Sequence, residues 1–395
     1  MNTETAYWMA LAHELPVWNF SDRDGWKNED KTNLIIQFYH EKQMSITDFF
    51  ELPKEKLIDD FRLNDRQIND LQGIKSSLAN YAFLAENLQN NGIEVIPIIS
   101  TDYSKTLKEN LKKSAPTILY VKGNKQIMQE KSIAIVGSRD ASGTALDFTD
   151  NIAKLASKEW KVIVSGFAKG IDKQALDSAI TCKGQSIIVL PQGILTFESG
   201  FKTYYKQIID GDVLVLSTFH PKAGWGKELA MARNPIIYGL AKEIYVAESK
   251  PSKNRQGKET KGGTYAGVID GLKKGRAIYV RKTDIFEKND NNFLIQSGAV
   301  AIDFNGNILN NYDIQEKDAL IVAEPQSGYK SFENNVKNIL QKGQLPAKEI
   351  LKKLNLNWKS EKLTQELKKL DFIEVRKEKN INYFSLKGVK ELTLF

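Results

Sequence analysis

The chain has 395 residues, 41% of them hydrophobic, with 56 Lys+Arg, 49 Asp+Glu and one cysteine. That apolar content excludes global disorder, the lone Cys182 excludes an internal disulfide and a cysteine-rich metal site, and at about 150 residues per domain the length suggests two or three domains. No run reaches the roughly 18 apolar residues of a membrane span, and MNTETAYWMALAHELP lacks the features of a signal peptide, so a soluble, cytoplasmic protein is expected.

The net charge of +7 is unevenly spread. Residues 249–288 hold 11 Lys/Arg against 4 Asp/Glu, and residues 331–395 hold 14 against 8, so the remainder is slightly acidic. Two basic segments point to a polyanion partner; lysine-rich surfaces that only aid solubility give the same counts.

Residues 1–85 read as a helical module of SAM or helix-hairpin size, because TNLIIQFYHEK and EKLIDDFRLNDRQINDLQGIKSSL space apolar residues three and four apart. In SITDFFELPKEKL, Ser and Thr offer helix caps. From residue 86 the pattern changes. IEVIPII, TILYVKG and SIAIVGSR read as strands, with a helix near Ser104–Lys113 between the first two. Strands and helices then alternate: TALDFTDNIAKLASKEW, KVIVSG, GIDKQALDSAITC, SIIVLPQG, DVLVLST, NPIIYGLAKEI, EIYVAES, GTYAGVIDGLKKG and RAIYV. Such alternation predicts an α/β fold built on a parallel sheet, and continuous Ile/Val runs suit strands covered on both faces. Residues 306–330 read as a linker. Residues 331–395 carry short helical patterns and the hairpin-like IEVRKEKNINYFSL, the plan of a winged helix.

In an open parallel sheet, ligands bind beyond the carboxyl ends of the strands. Here those ends are Gly137-Ser138-Arg139, Ser165-Gly166-Phe167-Ala168-Lys169, Pro191-Gln192-Gly193, and Glu248-Ser249 leading through a basic loop to Gly262-Gly263-Thr264. Glycines let backbone N–H groups approach a phosphate, and the hydroxyls of Ser138, Ser165 and Thr264 can donate to it. Arg139, Lys169, Lys202 and Arg233 supply cations, and Asn234 an amide. Phe167 or Phe201 can stack a base, although core packing is the favoured expectation for each. A turn explains any single glycine; the convergence of several loops on one edge is the stronger signal. No G-x-G-x-x-G dinucleotide fingerprint or Walker loop is present. His13, His40 and His220 are scattered and read as surface or packing residues, and Cys182 as a small buried hydrophobe. No base stands beside a nucleophile, so binding without a cofactor is expected rather than catalysis.

In order and content these residues resemble the DNA-processing protein A (DprA, or Smf) family. The resemblance runs through TILYVKG, IVGSR, SGFAKGID, RNPIIYGLA, GGTYAGVIDGLKKGR and NFLIQSGAV, over roughly residues 86–302. It implies an extended Rossmann domain at 86–305 that binds single-stranded DNA, protects it during natural transformation and helps load a RecA-type recombinase. It also implies a homodimer without enzymatic activity. The sequence departs from the family pattern at Ala175-Leu176, at Pro235, at Glu198-Ser199 and Lys202, at Ser217-Thr218, and in a longer basic loop, SKPSKNRQGKETKGG. Those departures leave open a divergent, defence-associated nucleic-acid sensor. A second reading, a nucleotide-binding or nucleotide-hydrolysing Rossmann protein like the phosphoribohydrolases, is faintly echoed by Lys261-Gly262-Gly263-Thr264. A third makes the winged helix the DNA reader, through Ser360, Lys362, Thr364 and Gln365.

Overall fold

The first elements follow from the helical spacing of the front. In a computed structural model of the chain, the described residues are 3–15, 26, 29–253, 259–284, 287–309, 336–337, 339–341, 343–354, 360–378 and 381–387. Helices α1 (Thr3–Glu14), α2 (Asp30–Ile35), α3 (Ile46–Phe50), α4 (Lys54–Phe61) and α5 (Asp65–Asn90) come first. Ser45 starts α3 and Asn64 starts α5, each through a reciprocal capping box that satisfies otherwise orphaned N–H groups. The last of these helices runs beyond residue 85, to Asn90.

The alternating region follows as β1 (Glu94–Pro97), α6 (Lys105–Leu111), β2 (Ile118–Lys122), β3 (Ser132–Gly137), α7 (Gly143–Lys158), β4 (Val162–Ser165) and α8 (Ile171–Thr181). Next come β5 (Ser186–Val189), α9 (Glu198–Thr203), α10 (Tyr205–Ile209), β6 (Val213–Ser217), α11 (Lys227–Ala232), α12 (Asn234–Leu240) and β7 (Glu243–Glu248). A small antiparallel pair, β8 (Ser252–Lys253) and β9 (Glu259–Thr260), precedes α13 (Gly263–Lys273), β10 (Ala277–Arg281), α14 (Asn291–Gln296) and β11 (Val300–Ile302).

Nine strands form one sheet in the order β1-β2-β6-β5-β4-β3-β7-β10-β11. The seven from β6 to β11 are parallel neighbours, whereas β2 pairs antiparallel with both β1 and β6. Chain order steps outward from β3 in both directions, so the switch point lies between β3 and β7. There the register slips at Val136/Gly137, setting Gly137 opposite Glu248.

Alternate residues of each strand enter different cores. Ile133 and Ile135 of β3 pack under α7 and α8, while Ala134 and Val136 join Ile236, Tyr238 and Val268 on the opposite face. Tyr120, Ile188 and Val215 share a third core with Trp8, Leu11, Phe38 and Leu84 of the helical front. Helices thus cover both faces of the sheet, which is why its strands read as unbroken apolar runs. Each fully buried Ile or Val contributes about 1.5–3 kcal/mol of transfer free energy.

A polar cluster fixes the front on β2. The His13 ring lies flat between Tyr81 and Tyr120, with centroids at 6.4 and 5.8 Å, and meets His220 edge-on at 5.3 Å. His13 Nε2 is 2.8 Å from the Tyr120 hydroxyl, and Tyr81 donates to Glu14 at 2.6 Å. Burial above all, with His220 and Lys31 adding, pushes the His13 imidazole down to about 3. His13 and His220 therefore come together despite their distance in sequence, but among the described residues no group of three His, Cys, Asp or Glu could hold a metal ion. Cys182 differs from expectation: it is the C-cap of α8 and is exposed, because the helix ends there before the turn into β5.

The described residues fall into two compact units, divided near Leu309. The second contains helices Ala347–Lys353 and Ser360–Leu367 and an antiparallel sheet of β12 (Leu345–Pro346), β13 (Ile373–Glu378) and β14 (Ile381–Leu386), with β14 central. Leu340, Ile350, Leu363, Leu367 and Phe384 form its core. Most of the expected linker, 310–330, and the centre of the basic loop, 254–258, lie outside the described residues. Among the described residues no helix is long and apolar enough to cross a membrane.

Candidate nucleic-acid interface

At the switch point the loops interlock. Ser138 N–H donates to the Glu248 carbonyl at 2.8 Å, joining the ends of β3 and β7, and Ile171 N–H donates to the Ser138 carbonyl at 3.3 Å, joining β3 to the start of α8. Gly170, at φ +86°, faces the Ser138 and Arg139 carbonyls so closely that a Cβ would lie 2.4 and 2.5 Å from them. Both the left-handed backbone and the absence of a side chain are needed there. Gly262 approaches the Lys250 carbonyl in the same way, and Gly263 lies beside Asn234. The ring of contacts closes at Gly166, where a Cβ would fall 1.6 Å from the Arg233 guanidinium.

Each acid buried in this ring is met by a cation. Asp172 accepts from Arg233 Nη2 at 2.9 Å, with both side chains buried. The Glu248 carboxylate accepts from Ser142 N–H at 3.0 Å, at the start of α7, and lies 3.2 Å from Lys250 Nζ. Lys250 also donates to the Asp140 carbonyl at 2.6 Å. Lys261 pairs with the buried Asp290 at 2.7 Å and covers the rings of Tyr265 and Phe293. By contrast, Arg139 and Lys169 are exposed on the same rim and make no ion pair among the described residues. Asp140, also exposed, stands beside Arg139.

The expected site residues separate by role. Gly137, Ser138, Arg139, Gly166, Lys169, Asn234, Gly262, Gly263 and Thr264 lie on the interlocked loops. Arg233 does so too, but as a buried ion-paired strut, not an exposed cation: it is 4% exposed, and its buried Nε–H has no hydrogen-bond partner among the described residues. The Ser165 hydroxyl is fully buried and donates to the Ile135 carbonyl at 3.0 Å, so it ties two strands together. Phe167, at φ +59°, packs edge-on against Phe197 and Tyr204, so it is half-buried in an aromatic cluster instead of standing free. Phe201 packs on Phe197 with Lys122 over its ring, and Lys202 is exposed on α9, outside the ring of contacts. The loop at Gly193 is also outside, closed against His220 and Pro221. The partners Asp172, Glu248 and Lys250 were missed because isolated Asp, Glu and Lys in sequence do not announce what they face.

A doubly wound, Rossmann-like sheet with glycine-bearing loops interlocked at its switch point is the class that the fold defines. A family model described as DNA recombination-mediator protein A matches residues 94–313, and the chain belongs to that family. It is 29% identical over 201 residues to the DNA processing protein DprA of Streptococcus pneumoniae, covering 50% of this chain and 68% of that protein. To the DNA processing protein DprA of Bacillus subtilis it is 30% identical over 220 residues, covering 54% and 69%. The X-ray structure of DNA processing protein A from Streptococcus pneumoniae matches with a TM-score of 0.57 at 24% identity, covering 76% of this chain and 95% of that one, a likeness of fold.

Proposed function

We propose that the crevice binds single-stranded DNA and that the chain acts as a recombination mediator, shielding the strand and helping a RecA-type recombinase to load. The observation that carries this reading is the division of charge at the rim. Asp172 and Glu248 are neutralised within the scaffold, while Arg139 and Lys169 remain exposed beside glycine backbones. Those two cations pair with successive phosphates, and the part-exposed glycines Gly137 and Gly263 give the backbone close access, while the buried Gly166 and Gly262 hold the loops together. Lys202 extends the basic path over α9.

The chain acts as a binding protein without catalysis: the carboxylates of Asp172 and Glu248 are held in the scaffold by Arg233 and by Ser142 N–H, so neither serves as a general base. The region 86–305 is the DNA-binding domain, residues 331–395 a winged helix, and the protein a cytoplasmic homodimer. Fluorescence anisotropy with labelled oligonucleotides tests the reading. Single strands should bind more tightly than duplex, with affinity falling as salt rises; equal affinities or a flat salt response would refute it. Incubation with nucleoside monophosphates should release no base.

A further inference from the structure

Neither Phe167 nor Phe201 is free to stack a base, yet the carboxyl edge carries a large exposed aromatic. Trp225 is 59% exposed on the loop between β6 and α11. Its neighbours are Gly224, whose Cβ position has no atom within 4 Å, and Gly226, whose nearest is Leu229 at 3.8 Å. The base of the loop is firm: Gly193 N–H donates to the Ala223 carbonyl at 2.8 Å, and Leu195 N–H to that of Pro221 at 3.0 Å. The tip thus stands on the same edge as the crevice, and α11, about 9 Å long, leads from it to Arg233. Lys222 and Lys227 flank it, both exposed and without an ion pair among the described residues; Glu228 follows.

We propose that Trp225 is a base-stacking platform for the single strand where it leaves the crevice, with Lys222 and Lys227 on its phosphates. This rests on the single-strand reading above and adds to it a contact that tolerates any base, because every base has a π-face. The molecule supplies its own control. Trp160, 89% exposed, sits in the turn before β4, at the opposite, amino edge of the sheet.

The test measures oligonucleotide affinity for the full chain and for Trp225→Ala, Trp225→Phe, Trp160→Ala and Arg139→Glu, with circular dichroism to confirm folding. Trp225→Ala should weaken single-strand binding about 5- to 150-fold, with the salt slope unchanged because no phosphate contact is lost. Trp225→Phe should retain most of the affinity, and Trp160→Ala all of it. Indole fluorescence quenching on adding DNA should persist in Trp160→Ala and fall in Trp225→Phe. If Arg139→Glu weakens binding and Trp225→Ala does not, or if Trp160→Ala matches Trp225→Ala, the stacking role is wrong while the crevice reading stands. If the unaltered chain binds no single strand, both fall.

Discussion

The helical front and the carboxyl edge both gather polar groups into the fold, but they finish the task differently. At the front, His13, Tyr81, Tyr120 and Glu14 satisfy one another between α1, α5 and β2, and His13 stays neutral in a buried stack. At the edge, Asp172 and Glu248 are matched by Arg233 and Lys250, and further cations are then left in water on the rim. The first arrangement is complete without a ligand. The second pairs its buried acids with cations and leaves its outer layer open, as a binding surface on a rigid support should be.

The buried layer gives the largest expected effect. Arg233→Ala strands the Asp172 carboxylate and should destabilise the fold by about 3–5 kcal/mol, read by urea denaturation. A fall below about 1 kcal/mol would mean that this pair behaves like a surface contact.

The front should answer to acid. His13 is near 3 in the folded chain against 6.5 unfolded, so the unfolded state takes up the proton first. The contribution is fully present above pH 6.5 and erodes as pH falls toward 3. His220 is shifted in the same direction by burial and adds to the trend. The slope reaches about 1.4 kcal/mol per pH unit. Between pH 6.5 and 5, His13→Gln should therefore escape up to about 2 kcal/mol of the loss that the unaltered chain suffers. Equal acid sensitivity of the two proteins would place the buried proton elsewhere.

The outer layer separates binding from stability. Arg139→Glu should change stability by no more than about 0.5 kcal/mol, since the side chain is exposed and makes no ion pair among the described residues, yet weaken single-strand binding several-fold. Smallest of all is the expected effect of removing residues 331–395. Their helices and strands close a core of their own, so single-strand affinity should stay within about threefold, a change of under 1 kcal/mol. A larger loss would favour the C-terminal unit as the reader.

Much of this was legible in the sequence, for stated reasons. Strands buried on both faces leave unbroken runs such as SIAIV and DVLVL, and Gly137 of the switch point sits at the end of the first. Strand direction was not legible: TILYVKG looks like the parallel strands of the sheet but runs antiparallel to β6, since an apolar run carries no polarity. Nor could the sequence tell an exposed cation from a buried one. Arg139 and Arg233 look alike until Asp172, at the start of α8, is seen beneath the second. The packing expected for Phe167 is found, but its aromatic partners, Phe197 and Tyr204, could not be named beforehand because they lie on the far side of β5 in the chain.

The most direct test of the central claim is the salt dependence of single-strand binding in Arg139→Glu/Lys169→Glu. Each lost phosphate contact removes about 0.7 from the slope of log Kobs against log salt. If the rim cations hold the backbone, the folded double variant should bind with a slope shallower by about 1.4. A folded variant that keeps the full slope would show that the strand lies elsewhere on the molecule.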